Sequence, residues 1–147
     1  LELVGCDSCV GEELINKKGK KVNNWDSGET LYNLEQIKQF IKDGIVICTS
    51  NDVIDETVTR LIYDTNIKIA QEFINLIKDN VKTGSLIQFW IDEEIQNQAF
   101  ELVGKFSEHK LSLTDATSIT LIKKFSIESV ISLDSDFTKV GISTLPI

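Results

Sequence analysis

Two kinds of hydrophobic pattern alternate along the chain. Short apolar runs, such as the four consecutive residues from Ile45 to Cys48, are typical of buried strands. Between these runs, apolar residues recur at spacings of three and four, as in Leu34, Ile37 and Ile41, which is typical of amphipathic helices. The runs predict strands at residues 1–6, 45–48, 86–91, 129–133 and 141–145. The spaced patterns predict helices at residues 30–42, 67–80 and 114–125, and further helices that begin near residues 10, 52 and 92.

The order of these elements is typical of an α/β fold. The first four strands are separated from each other by one or two helices, and such crossover connections join parallel strands. We therefore expect a mostly parallel sheet that is covered by helices on both faces. The 147 residues have the length of one domain, so residues 1–147 are predicted to form a single domain.

Acidic residues follow strands or open helices at several places along the chain. In an open parallel sheet, ligands bind beyond the carboxyl ends of the strands, so acids at these positions are candidates for chemistry. The candidates are Asp7 after the first strand, Glu56 soon after the second, Asp115 at a helix start, and Asp134 and Asp136 after the 129–133 strand.

A group of such carboxylates predicts a divalent metal site. Like charges 4 Å apart repel each other by about 4 kcal/mol at an effective dielectric constant of about 20, and a bound cation removes that cost. Mg²⁺ and Mn²⁺ prefer carboxylate oxygens and water, and they can activate water for attack on a phosphate. The residues therefore favour metal-assisted hydrolysis.

Each of these acids also has a local explanation. A first-turn acid such as Asp115 stabilises a helix N-terminus without any function. The segment from Asp134 to Asp136 is an acceptable turn, and Glu56 lies opposite the apolar side of its helix. The pattern alone leaves both interpretations open.

The charge balance and the cysteines narrow the class of protein. A net charge of −8 argues against general affinity for polyanions, although a metal held by carboxylates reverses the local sign.

Three cysteines and no export signal indicate a reducing cytoplasmic environment, and no apolar segment has the length of a membrane span. Cys6 and Cys9 have the spacing of a redox pair, and together with Cys48 and His109 they could form a zinc site. The simpler interpretation is that Cys6 and Cys48 are small buried strand residues.

Several segments resemble the PIN domain, the PilT N-terminal family of metal-dependent nucleases. The segment from Lys110 to Ala116, KLSLTDA, is similar to the family's motif at a helix start, and VISLDSDF, from Val130 to Phe137, is similar to its strand-and-acid motif. Upstream, CDSCV around Asp7 and TSNDVIDE ending at Glu56 resemble the two N-terminal motifs more weakly.

The resemblance implies a fold and a reaction. The fold would be a three-layer α/β/α sandwich with a central parallel sheet. The catalytic acids would be Asp7, Glu56, Asp115 and Asp134, which would surround Mg²⁺ or Mn²⁺ with Asp136 as an additional or water-mediated ligand. Ser8 and Ser132 would support the site, since Ser132 stands where the family often has a threonine near the metal.

The resemblance also implies partners. Family members usually cleave RNA to leave a 5′-phosphate and a 3′-hydroxyl, and many are VapC-type toxins held by an antitoxin protein. A homodimer is a further expectation. The basic residues Lys17, Lys18, Lys20 and Lys21 could hold substrate phosphates, or they could form an ordinary solvated loop. Two alternatives remain, a PIN-like RNA- or protein-binding module without turnover and a thiol-disulfide protein that uses Cys6 and Cys9.

Overall fold

The computed structural model describes residues 2–3, 39, 42–132 and 136–145. Five strands in this part of the chain form one sheet in the order β3-β2-β1-β4-β5, and every pair of neighbours is parallel. The strands are β1 (Glu2–Leu3), β2 (Ile47–Ser50), β3 (Leu86–Phe89), β4 (Val130–Ile131) and β5 (Thr144–Leu145). The predicted parallel sheet is confirmed.

The described helices are α1 (Asn51–Asp64), α2 (Ile67–Thr83), α3 (Glu93–Lys105), α4 (Leu113–Lys124) and the short α5 (Asp136–Lys139), with a 3₁₀ turn at Ser107–His109. The helices between β2 and β4 agree with the sequence prediction, whereas α5 was not predicted, because the last two strands were expected to follow each other directly. Helix α2 extends three residues beyond the predicted end because Gly84 terminates it in the left-handed conformation, at φ 79°. The predicted strand and helix positions between residues 4 and 38 lie outside the described residues.

The two faces of β3 show that the sheet is a middle layer. Ile87 and Phe89 pack against a core that includes Ala99 of α3 and Ile119 of α4. Leu86, which points to the opposite face because side chains alternate along a strand, packs against the core formed by α1 and α2. Helices therefore cover both faces, and the three-layer α/β/α sandwich is confirmed.

Strand β2 lies two residues later than its apolar run predicts. Its four residues pair in sequence with β3, from Ile47 with Leu86 to Ser50 with Phe89. Val46, which belongs to the predicted strand, is exposed, whereas Thr49 and Ser50 are buried. Hydrophobicity could not indicate this shift, because the pairing with β3 places two polar residues inside the protein.

The core between α1 and α2 depends on one aromatic side chain. Phe73 is 1% exposed and packs with Leu61, Ile69 and Ile77. We expect Phe73→Ala to lower the free energy of unfolding by about 3–5 kcal/mol, because truncation leaves a cavity. Urea denaturation would measure the loss. The exposed neighbour Gln71→Ala is the control, and an equal effect of the two variants would contradict the assignment.

Of the helices that the structure describes, none combines the length and the apolar character needed to cross a membrane.

Candidate metal centre

The strand order reverses at the place in the sheet where the acids are predicted to meet. From β1 the chain runs to β2 and β3 on one side, and it then crosses to β4 on the other side of β1. Connections that leave in opposite directions from adjacent strands open a crevice at the carboxyl ends of those strands, where ligands of such sheets bind. Here the adjacent strands are β1 and β4.

The strand register aligns three segments that carry predicted site residues. Leu3 pairs with Cys48 of β2 on one side and with Val130 of β4 on the other. Asp7 and Asp134 each come four positions after a member of this row in the sequence, but both lie outside the described residues. Other predicted residues also lie outside the described residues, namely Ser8, Lys17, Lys18, Lys20, Lys21, Cys6 and Cys9. The roles of all these residues stay predictions.

Glu56 lies in the second turn of α1, the helix that directly follows the inner strand β2. Its side chain is half-buried, between the exposed Asp55 and the buried Thr57. The helix begins at this place because Ser50 caps it, since the Val53 amide donates to the Ser50 hydroxyl at 3.3 Å. Local capping therefore places Glu56 close to the carboxyl end of β2.

Asp115 lies in the first turn of α4 and is held by the residue that caps this helix. The Ser112 hydroxyl accepts a hydrogen bond from the Asp115 amide at 3.1 Å and donates one to Asp115 Oδ2 at 2.7 Å. This reciprocal pair resembles a capping box. Ser112 therefore caps α4, and it also orients the carboxylate that we expect to hold the metal.

The helices that carry Glu56 and Asp115 are joined by a contact that the sequence analysis missed. The Thr117 hydroxyl of α4 donates to Asp52 Oδ2 of α1 at 3.0 Å. Asn51, the neighbour of Asp52, accepts a hydrogen bond from the Ile91 amide at 2.6 Å. In the sequence, Asn51 and Asp52 are candidates for helix caps, and no local pattern indicates a partner 65 residues away.

Two further predicted residues lie at the end of β4. Ser132, which follows this strand, is buried. Asp136 begins α5 and forms an ion pair with Lys139, with 2.6 Å between Asp136 Oδ1 and Lys139 Nζ. This pair is local and its lysine end is exposed to solvent, and surface pairs of this kind contribute about 0–1 kcal/mol. The metal role of Asp136 stays a prediction.

The chemistry of the donor set suits a hard divalent cation. Among the described residues, no group of three or more His, Cys, Asp or Glu side chains lies close enough to hold a metal ion. Glu56 and Asp115 are the two predicted catalytic acids within this part, and both are half-buried oxygen donors. Oxygen donors match Mg²⁺ and Mn²⁺, and Asp7 and Asp134 would complete the set.

The zinc alternative receives no support within the described part of the chain. Cys48 lies in strand β2, and its side chain is 0% exposed. His109 lies in the 3₁₀ turn beside Phe106, with 6.1 Å between the ring centroids. Cys48 is therefore a small buried strand residue, as the simpler interpretation holds.

The cap of α4 gives a test of local stability. We expect Ser112→Ala to lower the free energy of unfolding by about 0.5–2 kcal/mol, because the Asp115 amide loses its acceptor. Thermal or urea denaturation would measure the change. Ser107→Ala removes an exposed hydroxyl from the neighbouring 3₁₀ turn and serves as the control. If Ser112→Ala unfolded with the same midpoint as the parent, the cap would be irrelevant to stability.

The fold can be compared with known proteins. No protein-family model and no curated protein sequence matches the chain. The crystal structure of VapC20 from Mycobacterium tuberculosis, a toxin that cleaves the sarcin-ricin loop, is similar with a TM-score of 0.72 and 22% sequence identity. The similarity covers 97% of this chain and 96% of VapC20. The chain therefore has the fold of a VapC-type PIN domain, as its sequence motifs predicted.

Proposed function

We propose that this protein is a metal-dependent endoribonuclease of the VapC type. The observation that carries the proposal is the similarity in fold, over 97% of the chain, to VapC20, a toxin that cleaves the sarcin-ricin loop. Glu56 and Asp115 add support, because α1 starts at the carboxyl end of β2 and a hydrogen bond joins the start of α1 to α4.

The acids of this chain would hold Mg²⁺ or Mn²⁺. Asp7, Glu56, Asp115 and Asp134 are the proposed ligands and catalytic acids, with Asp136 as an additional ligand and with Ser8 and Ser132 in support. When bound, the ion supplies a Lewis acid that activates water and offsets the charge of the phosphate. Ser112 keeps Asp115 Oδ2 in place before the ion binds, so less ordering is needed on binding.

The proposed substrate is RNA, and the products carry a 5′-phosphate and a 3′-hydroxyl. VapC20 cleaves the sarcin-ricin loop, so an oligonucleotide of that loop is the first substrate to test, beside unstructured RNA. The four lysines between residues 17 and 21 would contribute contacts to phosphates. An antitoxin protein and a second copy of the chain are the proposed protein partners.

The test is cleavage of end-labelled RNA by the purified protein. We expect cleavage with Mg²⁺ or Mn²⁺, and fragments that a 5′-phosphate-dependent exonuclease degrades. Binding of RNA without cleavage in any of several divalent metals would instead indicate a PIN-like binding module. We expect the Cys9→Ser variant to cleave RNA as the parent does. A loss of cleavage in that variant would instead support the thiol-disulfide alternative.

A further inference from the structure

The starts of α1 and α4 are joined by a hydrogen bond that is shielded from solvent at one end. Thr117 is 1% exposed, and its Oγ1 lies 3.0 Å from Asp52 Oδ2. Asp52 is half-buried in the first turn of α1. A hydrogen bond to a charged acceptor is about twice as strong as one between neutral groups. The Asp52–Thr117 bond is therefore a specific link between two elements that are distant in sequence.

The same carboxylate takes part in a longer chain of hydrogen bonds. Asp52 Oδ1 accepts from the side-chain amide of Asn51 at 3.3 Å. Asn51 Oδ1 in turn accepts from the backbone amide of Ile91, in the connection between β3 and α3, at 2.6 Å. Both oxygens of Asp52 thus have partners, and the start of α1 is tied to two other segments of the fold.

These links lie beside the two described catalytic acids of the proposed nuclease site. Glu56 follows Asp52 by four residues, so the two side chains lie on the same side of α1. Asp115 precedes Thr117 by two residues, so their side chains leave α4 in different directions. The Asp52–Thr117 bond therefore holds the two helix starts at a fixed distance from each other. It does not involve the carboxylate of Glu56 or of Asp115.

We propose that Asp52 is a positioning residue of the metal site: through its hydrogen bond to Thr117 it sets the distance between the helix that carries Glu56 and the helix that carries Asp115. This inference rests on the proposed function. It assigns Asp52 no direct contact with metal or RNA, and it makes the acceptor atom, rather than the negative charge, the feature that matters.

The hydrogen-bond geometry allows the charge and the acceptor to be separated. Thr117 has one hydroxyl proton and two acceptors in range, Asp52 Oδ2 and the Thr114 carbonyl oxygen at 2.9 Å. An asparagine at position 52 can accept the proton, or it can donate its amide to Thr117 Oγ1 while the hydroxyl donates to Thr114. Asp52→Asn therefore keeps the link and removes the charge, whereas Asp52→Ala removes both.

The experiment measures Mn²⁺ binding to the purified full chain without RNA, by calorimetry or by electron paramagnetic resonance. We expect Asp52→Ala to weaken Mn²⁺ binding by about 10- to 100-fold, the usual effect of removing a group that orients metal ligands. Asp52→Asn should bind as the parent does. Thr117→Val should weaken binding as Asp52→Ala does, and Thr117→Ser should restore it.

Two controls accompany these variants. Asp55→Ala removes an exposed acid from the same helix, so it reproduces the change in net charge and should leave Mn²⁺ binding unchanged. The double variant of Asp52→Ala and Thr117→Val should be no weaker than either single variant, because the two substitutions break one shared link. Melting temperatures of all variants identify any that fail to fold, and the pair Thr117→Val and Thr117→Ser then carries the test.

The outcomes separate this inference from the proposed function. Equal weakening by Asp52→Asn and Asp52→Ala would show that the charge matters, and it would overturn the positioning role. Parent-like binding by Asp52→Ala, with Asp115→Asn unable to bind, would overturn the inference and leave the nuclease proposal standing. A parent protein that binds no Mn²⁺ would remove the proposed function, and the inference would fall with it.

Discussion

Asp115→Asn is expected to lower kcat for RNA cleavage by about 10³-fold, which corresponds to about 4 kcal/mol of transition-state stabilisation. Asparagine retains a carbonyl oxygen that can accept the hydrogen bond from Ser112, so the helix cap survives. The negative charge that the metal requires is lost. We therefore expect an inactive protein whose melting temperature is close to that of the parent.

A matched substitution elsewhere controls for the loss of an acid at a helix start. Asp92 caps α3 by accepting from the Ile95 amide at 2.9 Å, and asparagine can do the same. Asp92→Asn should cleave RNA at the parental rate. Cleavage measured with several RNA concentrations separates kcat from KM. If Asp115→Asn cleaved RNA with the kcat of the parent, Asp115 would not be a catalytic residue.

Removal of divalent metal is expected to abolish cleavage to a similar extent. An ion that activates water and neutralises a phosphate contributes several kcal/mol to the transition state, so an excess of EDTA should slow cleavage by about 10³-fold or more. Addition of Mg²⁺ or Mn²⁺ beyond the chelator should restore the rate. Restoration is the essential part of the experiment, because it distinguishes metal dependence from irreversible loss of structure.

The control for this experiment is a preparation of Asp115→Asn purified in the same way. Any cleavage that it shows in EDTA comes from contaminating ribonuclease, since many such enzymes need no metal. The amount of metal bound to the parent and to the variant can be measured on the same samples by elemental analysis. Full cleavage by the parent in EDTA, above that background, would refute the proposed mechanism.

The position of the site within the fold explains why both effects should be large. Connections leave β1 and β4 in opposite directions, and ligands of such sheets bind at the carboxyl ends of strands at that place. Helix α1, which carries Glu56, starts at the carboxyl end of β2, and the Asp52–Thr117 bond joins it to α4, which carries Asp115. A cluster of carboxylates at such a place is costly without a cation, which makes the metal and each acid interdependent.

Helix starts were predictable because the chemistry that sets them is local. Ser50, Asp92 and Ser112 are short polar residues just before helical segments, and each accepts a hydrogen bond from an amide three residues later. The same reasoning places Asp115 in a first turn. The end of α2 was less accurate, because the apolar spacing fades before Gly84 ends the helix.

Strand positions were less predictable because pairing is not local. The apolar run 45–48 indicates a buried strand, but the register with β3 extends β2 to Thr49 and Ser50 and leaves Val46 outside. Whether a polar strand residue is buried depends on the strands and helices that pack against it. The hydrophobicity pattern along the chain does not indicate these neighbours.

The residue types and their order along the chain were sufficient to predict a parallel α/β fold and the positions of Glu56 and Asp115 near helix starts, because each follows from local periodicity or local hydrogen bonding. The strand order and the Asp52–Thr117 bond required the folded molecule. They join segments that are far apart in sequence, and such contacts form only after chain connections and core packing have brought the helices together.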